Sequence, residues 1–170
     1  DKIISSDSHV IEPPDLWTSR IDPRFKEQAP RVVSEENGDW WYIDGQRINS
    51  YQGGAYAGVR FEHPEKLEMS ARWEDVRPGG FIPDERIKDM DIDGVYGEVI
   101  YTTVGLLAYN TPSSDLLTAL CHAYNGWIAE FCGPYPDRLK GIAMVNVDDI
   151  EGAILELERS RDAGLVGAMI

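Results

Sequence analysis

The sequence predicts an α/β fold in which parallel strands alternate with helices. From residue 81 onward, apolar β-branched runs alternate with segments whose apolar residues recur at helical spacing. The strand segments are apolar along their whole length, which is typical of parallel strands covered on both faces. Short strand-helix-strand spacing favours a (β/α) barrel or a doubly wound sheet. Both architectures place functional residues at the carboxyl ends of the strands.

Each element has its own signal. Ile3-Ile4 predict a short buried strand that exits into charge at Asp7, His9 and Glu12. Pro83-Asp84 open a helix that Gly94 caps. The remaining elements follow from apolar periodicity and are strands over 95–103, 139–147 and 166–170 and helices over 113–132 and 150–164.

Residues 13–80 interrupt the alternation and predict an insertion. Residues 13–37 are rich in proline and charge and have no sustained period, so we expect irregular structure there. Asp44-Gly45 between two β-rich runs predict a hairpin, because this pair readily takes positive φ. We therefore expect one domain over 1–170, with a hairpin-bearing insertion at 13–80 and βα repeats at 81–170.

Composition limits the possible functions. A chain of 170 residues with 42% hydrophobic content can bury one core, and a net charge of −14 argues against nucleic acid and anionic membranes as partners. No apolar stretch approaches 18 residues and no signal-peptide pattern begins the chain. Cys121 and Cys132 lie about 16 Å apart along one predicted helix, too far to pair with each other. We expect two reduced thiols and a cytoplasmic protein.

Asp7 and His9 are the strongest candidates for chemistry. Residues at i and i+2 on a strand leave the same face, roughly 6 to 7 Å apart along the chain. A carboxylate oxygen and an imidazole nitrogen suit Zn²⁺, with Mn²⁺ or Fe²⁺ as alternatives. The competing interpretation is that Asp7 caps a turn and His9 makes a local hydrogen bond.

Other candidates are weaker. Asp89, Asp91, Asp93 and Gly94 fit the opening of a calcium loop, but Ile100 stands where that loop needs a bidentate Glu and a strand follows, so we reject the motif. His122 is expected at the surface or in packing, and His63 either in a lid or in solvent.

Three stretches of the chain resemble a known family. They are SSDSHVIEPPDLW, RPGGFIPDERIKDMDIDGV and AYNGWIAEFCGPYPDRLKGIAMVNVDD followed by GLVGAMI. Their order and spacing resemble the amidohydrolase-related family of the amidohydrolase superfamily. The nearest branch contains aminocarboxymuconate semialdehyde decarboxylase and the aromatic acid decarboxylases.

The resemblance implies a metal-dependent (β/α)₈ TIM barrel, of which this chain is the N-terminal half. Asp7 and His9 occupy the positions of the two metal ligands on the first strand, with zinc the first choice of ion and manganese or iron the alternatives. Side chains expected to support the ligands or line the pocket are Glu12, Trp17, Phe81, Tyr101 and Thr102. The tryptophan and phenylalanine could equally pack the insertion onto the barrel.

The resemblance also implies that the chain is incomplete as an enzyme. The catalytic acid or base and the remaining ligands are expected beyond Ile170, in a second half barrel supplied by the same or another chain. A half barrel leaves strand edges and an apolar face exposed, so we expect a homo-oligomer or another covering partner.

The implied activity is non-oxidative decarboxylation of a small aromatic or unsaturated carboxylic acid. The first alternative is metal-dependent hydrolysis of an amide, lactone or ester. The second is an inactive half barrel that serves as a binding or structural unit.

Overall fold

The computed structural model describes residues 2–56 and 70–170. Within these residues the strands are β1 (Ile3–His9), β2 (Arg31–Glu35), β3 (Gly38–Ile43), β4 (Gln46–Ser50), β5 (Val95–Tyr101), β6 (Leu139–Met144) and β7 (Gly167–Met169). The α-helices are α1 (Leu16–Arg20), α2 (Gln52–Ala55), α3 (Pro83–Asp93), α4 (Gly105–Ala108), α5 (Ser114–Cys132) and α6 (Ile150–Asp162). Short 3₁₀ turns occupy Pro23–Phe25, Trp73–Asp75 and Pro78–Gly80.

The main sheet has four strands in the order β1-β5-β6-β7, and every neighbouring pair is parallel. Helices α3, α5 and α6 connect successive strands of this sheet. The predicted parallel βα repeats are therefore confirmed. Because all four strands run the same way, their carboxyl ends lie at one edge of the sheet.

The insertion contains more structure than the sequence indicated. The hairpin is confirmed, with positive φ at Asp44 and Gly45, but β2 adds a third antiparallel strand at residues that we expected to be irregular. The pattern of β2 is weak because it is an edge strand in which Val33 is itself 36% exposed. Helix α1 was also missed in the same region.

Helix α5 holds the core together. Ser113 caps its first turn by accepting a hydrogen bond from the Leu116 amide. The predicted apolar stripe is buried, with Leu120, Tyr124 and Ile128 fully inaccessible. Both cysteines are free thiols buried on this helix.

Two predictions of burial were wrong. Ile3 and Ile4 of β1 are 59% and 62% exposed, because no strand of the described residues lies on the outer side of β1. On α6, Ile150 and Ile154 are 63% and 53% exposed, and of the predicted stripe Ala153 is buried. The apolar surface of both elements thus faces away from the core.

No helix of the described residues combines the length and apolar character that a membrane span requires.

Candidate functional site

Asp7 and His9 leave β1 on the same side, near its carboxyl end. The Oδ1 atom of Asp7 lies 3.4 Å from Nε2 of His9, and the two side chains are 79% and 39% exposed. The pairing of β1 with β5 shifts register between Ser5 and Ser8, next to Asp7. Two ligand-type atoms therefore converge at an accessible point of the strand mouth.

The ring of His9 is oriented by β5. Its Nδ1 lies 2.7 Å from the carbonyl oxygen of Thr102, which can only accept, so Nδ1 is the nitrogen that carries the proton. The Val10 amide donates to the Tyr101 carbonyl and keeps the two strand ends in step. A neutral ring in this arrangement has an unprotonated Nε2, which is the form that binds metal.

Glu12 is a fully buried carboxylate directly behind this pair. Its Oε1 accepts hydrogen bonds from the amides of Thr103 at 2.9 Å, Val104 at 3.0 Å and Gly105 at 3.3 Å, and from the Thr102 hydroxyl. Burial raises the pKa of Glu12, and the bonds from Thr102, Val104 and Gly105 oppose that rise. Glu12 therefore holds the loop after β5 in place by accepting hydrogen bonds from its amide groups, as an acidic side chain does at the start of a helix.

Gly105 is required for this closure. A Cβ atom at this position would collide with the Thr102 hydroxyl and with the sulfur of Met144. Its amide donates to Thr102 Oγ1 at 2.9 Å as well as to Glu12. The loop can thus approach Glu12 closely only because residue 105 lacks a side chain.

The remaining residues proposed from the sequence divide into two groups. Tyr101 and Thr102 adjoin the site: the Tyr101 ring is 6.0 Å from that of His9, and Thr102 is fully buried beneath it. Trp17 is also fully buried but donates from Nε1 to the Leu120 carbonyl on α5. Phe81 is partly buried and packs on Trp73 at 4.5 Å between ring centroids.

Trp17 and Phe81 are the two ends of one chain of aromatic contacts. The intervening rings, in order, are Trp41, Tyr51 and Trp73, and successive centroids lie 4.5 to 5.6 Å apart. This chain joins the insertion to α5 and to the segment before α3. Its geometry supports the packing alternative for these aromatic residues.

Sequence reasoning missed Arg86 of α3. Its guanidinium donates from Nη1 to the His9 carbonyl at 3.1 Å and pairs through Nε with Glu98 of β5 at 2.6 Å. No motif indicated this contact, because Arg86 lies 77 positions from His9. Arg86 thus fixes the backbone of His9 from the helix layer.

A cleft of about 230 Å³ reaches His9. Its charged wall consists of Arg77, Arg86 and Asp89, and Arg77 pairs with Asp89. The arginine in this pair holds the pKa of Asp89 below its usual range. The cleft is smaller than the roughly 300 to 1,000 Å³ of small-molecule sites, so it offers part of a binding site.

Asp89, Asp91 and His122 each have an ion-pair partner of their own. Asp89 and Asp91 pair with Arg77 and Arg138, and α3 runs unbroken through them, in keeping with the rejected calcium loop. His122 is 60% exposed on its side chain and pairs with Glu156 of α6 at 3.0 Å. His63 lies outside the described residues.

The described residues bring together two side chains of the types that bind metal ions. Among residues 2–56 and 70–170, no group of three or more His, Cys, Asp or Glu side chains converges on one point. Asp7 Oδ1 and His9 Nε2, which lie 3.4 Å apart, are one oxygen and one nitrogen of the kinds found in such sites. A complete site needs further ligands at the same sheet edge.

The fold matches part of solved enzyme structures, in agreement with the predicted N-terminal half of a (β/α)₈ barrel. No protein-family model matches the chain. Among solved structures, an amidohydrolase from Mycobacterium avium subsp. paratuberculosis is similar at a TM-score of 0.73 and 22% identity, over 96% of this chain and 47% of that one.

Two decarboxylases share the fold. The 2,6-dihydroxybenzoate decarboxylase from Rhizobium has a TM-score of 0.55 and 19% identity, over 100% of this chain and 38% of that one. A dihydroxybenzoic acid decarboxylase from Polaromonas, solved with bound manganese, has a TM-score of 0.55 and 18% identity, again over 100% and 38%. The chain thus spans less than half the length of each of these structures.

Proposed function

We propose that this chain is the metal-binding half of a metal-dependent enzyme of the amidohydrolase superfamily. The observation that carries the proposal is the 3.4 Å approach of Asp7 Oδ1 to His9 Nε2 at the carboxyl end of β1. Two acceptor atoms so close repel one another unless a proton or a cation lies between them. A divalent cation satisfies both and suits their mixed oxygen and nitrogen character.

Asp7 and His9 would hold the ion, and neighbouring groups would keep them in place. Thr102 orients the His9 ring through its carbonyl, and Arg86 anchors the His9 backbone. A bound divalent ion would supply Lewis-acid polarisation of a substrate oxygen or of water. Manganese in the Polaromonas structure supports a divalent ion, and zinc remains the prediction from ligand type.

The proposed reaction is non-oxidative decarboxylation of a small aromatic or unsaturated acid. The two decarboxylases of the same fold support it, and Tyr101 beside His9 offers a ring face to such a substrate. Hydrolysis of an amide, lactone or ester is the second candidate, favoured by the higher TM-score of the mycobacterial amidohydrolase. Release of CO₂ from hydroxybenzoates, assayed beside hydrolysis of aryl esters and lactones, separates the two.

Activity requires more βα units than this chain contains. Ile3 and Ile4 on one edge strand and Val166 and Ile170 beside the other are 55 to 79% exposed. Unpaired parallel edges with apolar side chains are the places where further strands of a barrel pair. We propose that a second half barrel, in the same or another polypeptide, covers both edges and supplies the missing ligands and the proton-transfer group.

Metal binding by the chain tests the first step. Mn²⁺ added to labelled protein should broaden the nuclear magnetic resonance signals of Asp7, His9 and Thr102 before all others, and Asp7→Ala and His9→Ala should each abolish this selectivity. Asp93→Ala and His122→Ala are matched controls at exposed positions. Equal broadening in wild type and both site variants would contradict the metal site. It would favour the alternative of an inactive half barrel that serves as a binding or structural unit.

A further inference from the structure

Glu12 and His9 are joined through one peptide group. The carbonyl of Thr102 accepts from His9 Nδ1 at 2.7 Å, and the amide on the other side of the same peptide, that of Thr103, donates to Glu12 Oε1 at 2.9 Å. A carboxylate that draws on the N–H polarises the peptide and makes its carbonyl a stronger acceptor. An ionised Glu12 would thus strengthen the hydrogen bond that orients the His9 ring without touching the ring.

Two acceptors, the Asp7 carboxylate and the Thr102 carbonyl, compete for the single proton of a neutral His9 ring. Asp7 lies 3.4 Å from Nε2 and would accept from it directly, whereas the Thr102 carbonyl accepts from Nδ1. A proton on Nε2 blocks the nitrogen that faces Asp7. A proton on Nδ1 leaves Nε2 free for a metal.

The surroundings of Glu12 make its role specific. In every hydrogen bond between its side chain and the described residues, Glu12 is the acceptor. The donors are three backbone amides and one hydroxyl. Surroundings that only donate suit an ionised carboxylate, which only accepts. A glutamine can keep its oxygen in the place of Oε1, where all four donors bond, and its N–H₂ then faces only the Val104 amide that lies 3.1 Å from Oε2. The substitution is therefore nearly isosteric and chiefly removes the negative charge.

We propose that Glu12 is a positioning residue that sets the tautomer of His9 through the Thr102–Thr103 peptide. The value of this tautomer for metal binding rests on the proposed function, but the tautomer itself does not. The arrangement corresponds to the carboxylate–histidine–metal chain of many metal sites, with a peptide group inserted between the acid and the ring.

The test is nitrogen-15 magnetic resonance of the His9 ring in metal-free protein, at a pH well above the ordinary imidazole pKa of about 6.5. Wild type should carry the proton on Nδ1. Glu12→Gln should raise the Nε2–H fraction roughly threefold or more, and Asp7→Ala should lower it. Asn146→Ala also removes a buried polar side chain, with bonds to Ser114 and Thr118, and should leave the tautomer unchanged.

A wild-type tautomer in folded Glu12→Gln, or a proton on Nε2 in wild type, would overturn the inference. If Glu12→Gln does not fold, scalar couplings across the hydrogen bonds in wild type decide. Coupling from the Thr103 amide to the Glu12 carboxyl carbon and from His9 Nδ1 to the Thr102 carbonyl carbon would support the relay, and absence of either would refute it.

Metal titration separates this inference from the proposed function. If both hold, Glu12→Gln weakens Mn²⁺ binding roughly 10- to 100-fold. A tautomer change without any metal binding in wild type would refute the metal site alone. Metal binding that Glu12→Gln leaves intact, with an unchanged tautomer, would refute the relay alone.

Discussion

Arg86 and Glu98 form an ion pair of 2.6 Å between α3 and β5, and both side chains are largely buried, at 15% and 11% exposure. The same guanidinium donates to the carbonyl of His9. The pair therefore links the helix layer, the second strand of the sheet and the backbone of the candidate ligand. It is the contact by which packing of α3 reaches the site.

Removing Arg86 should be costly. Arg86→Ala leaves the Glu98 carboxylate buried without its partner, and breaking such a pair costs about 3 to 5 kcal/mol. The double variant Arg86→Met/Glu98→Gln should recover much of that loss, because no uncompensated charge remains. Urea unfolding measures the difference, and Arg161→Ala, in an exposed pair with Asp162, is the control that should change almost nothing. Equal stability of the single and double variants would contradict the argument.

Stability should fall in acid partly through Glu156. Burial disfavours its charge, but hydrogen bonds from Arg159, Asn125 and His122 outweigh burial and lower its pKa below the ordinary 4.5. A lowered pKa stabilises the fold above the unfolded value and loses that contribution as pH drops through the folded one. Glu156→Gln should therefore flatten the loss of unfolding free energy below about pH 4.5.

The same network allows a control. Glu158 lies two positions away on α6 and is exposed, so Glu158→Gln should leave the acid limb of the stability curve as in wild type. If the unfolding free energy falls equally steeply in acid for Glu156→Gln and wild type, the network does not stabilise the charge of Glu156.

Trp17 should matter for stability and not for ligand binding. Trp17→Ala deletes a fully buried ring and its bond to Leu120 and should cost about 3 to 5 kcal/mol. Trp17→Phe should cost less but leave the Leu120 carbonyl without this donor. In both variants that remain folded, the midpoint of Mn²⁺ titration should equal that of wild type, whereas a clear shift would return Trp17 to the pocket.

The apolar face of α6 should drive association of the chain. Ile154 and Leu155 are 53% and 67% exposed, and such surface favours contact with other molecules. Ile154→Glu/Leu155→Glu should lower the sedimentation coefficient of concentrated protein toward that of a 19.1 kDa monomer. Val33→Glu on the insertion tests whether added charge alone suffices, and an equal effect there would argue against α6 as the contact.

Apolar periodicity predicted where the helices lie, but it did not predict which of their apolar faces are buried in this chain. The apolar periodicity of α5 is a local signal, and the helix that it predicted is confirmed. The apolar periodicity of α6 has the same character, but Ile150 and Ile154 are exposed among the described residues. A pattern reports that a face is suited to burial, and the partner decides whether it is buried.

The site was only partly predictable for a different reason. The spacing of Asp7 and His9 indicated convergence, because it depends on the strand alone. The contacts of Glu12 are made by backbone amides 91 to 93 positions away, which have no side-chain identity for a motif to record. Arg86 likewise contacts the backbone carbonyl of His9. Nothing in the sequence therefore distinguished it from the other arginines of the chain.

The two buried thiols on α5 provide a chemical probe of the rate at which this helix separates from the sheet. Burial raises the pKa of both Cys121 and Cys132 to about 12, so almost no reactive thiolate exists at neutral pH while the helix is packed. Alkylation can then proceed only as fast as α5 separates from the strands beneath it. Mass spectrometry of the labelled protein would time that separation and, with a covering half barrel present, would report how strongly its docking slows the event.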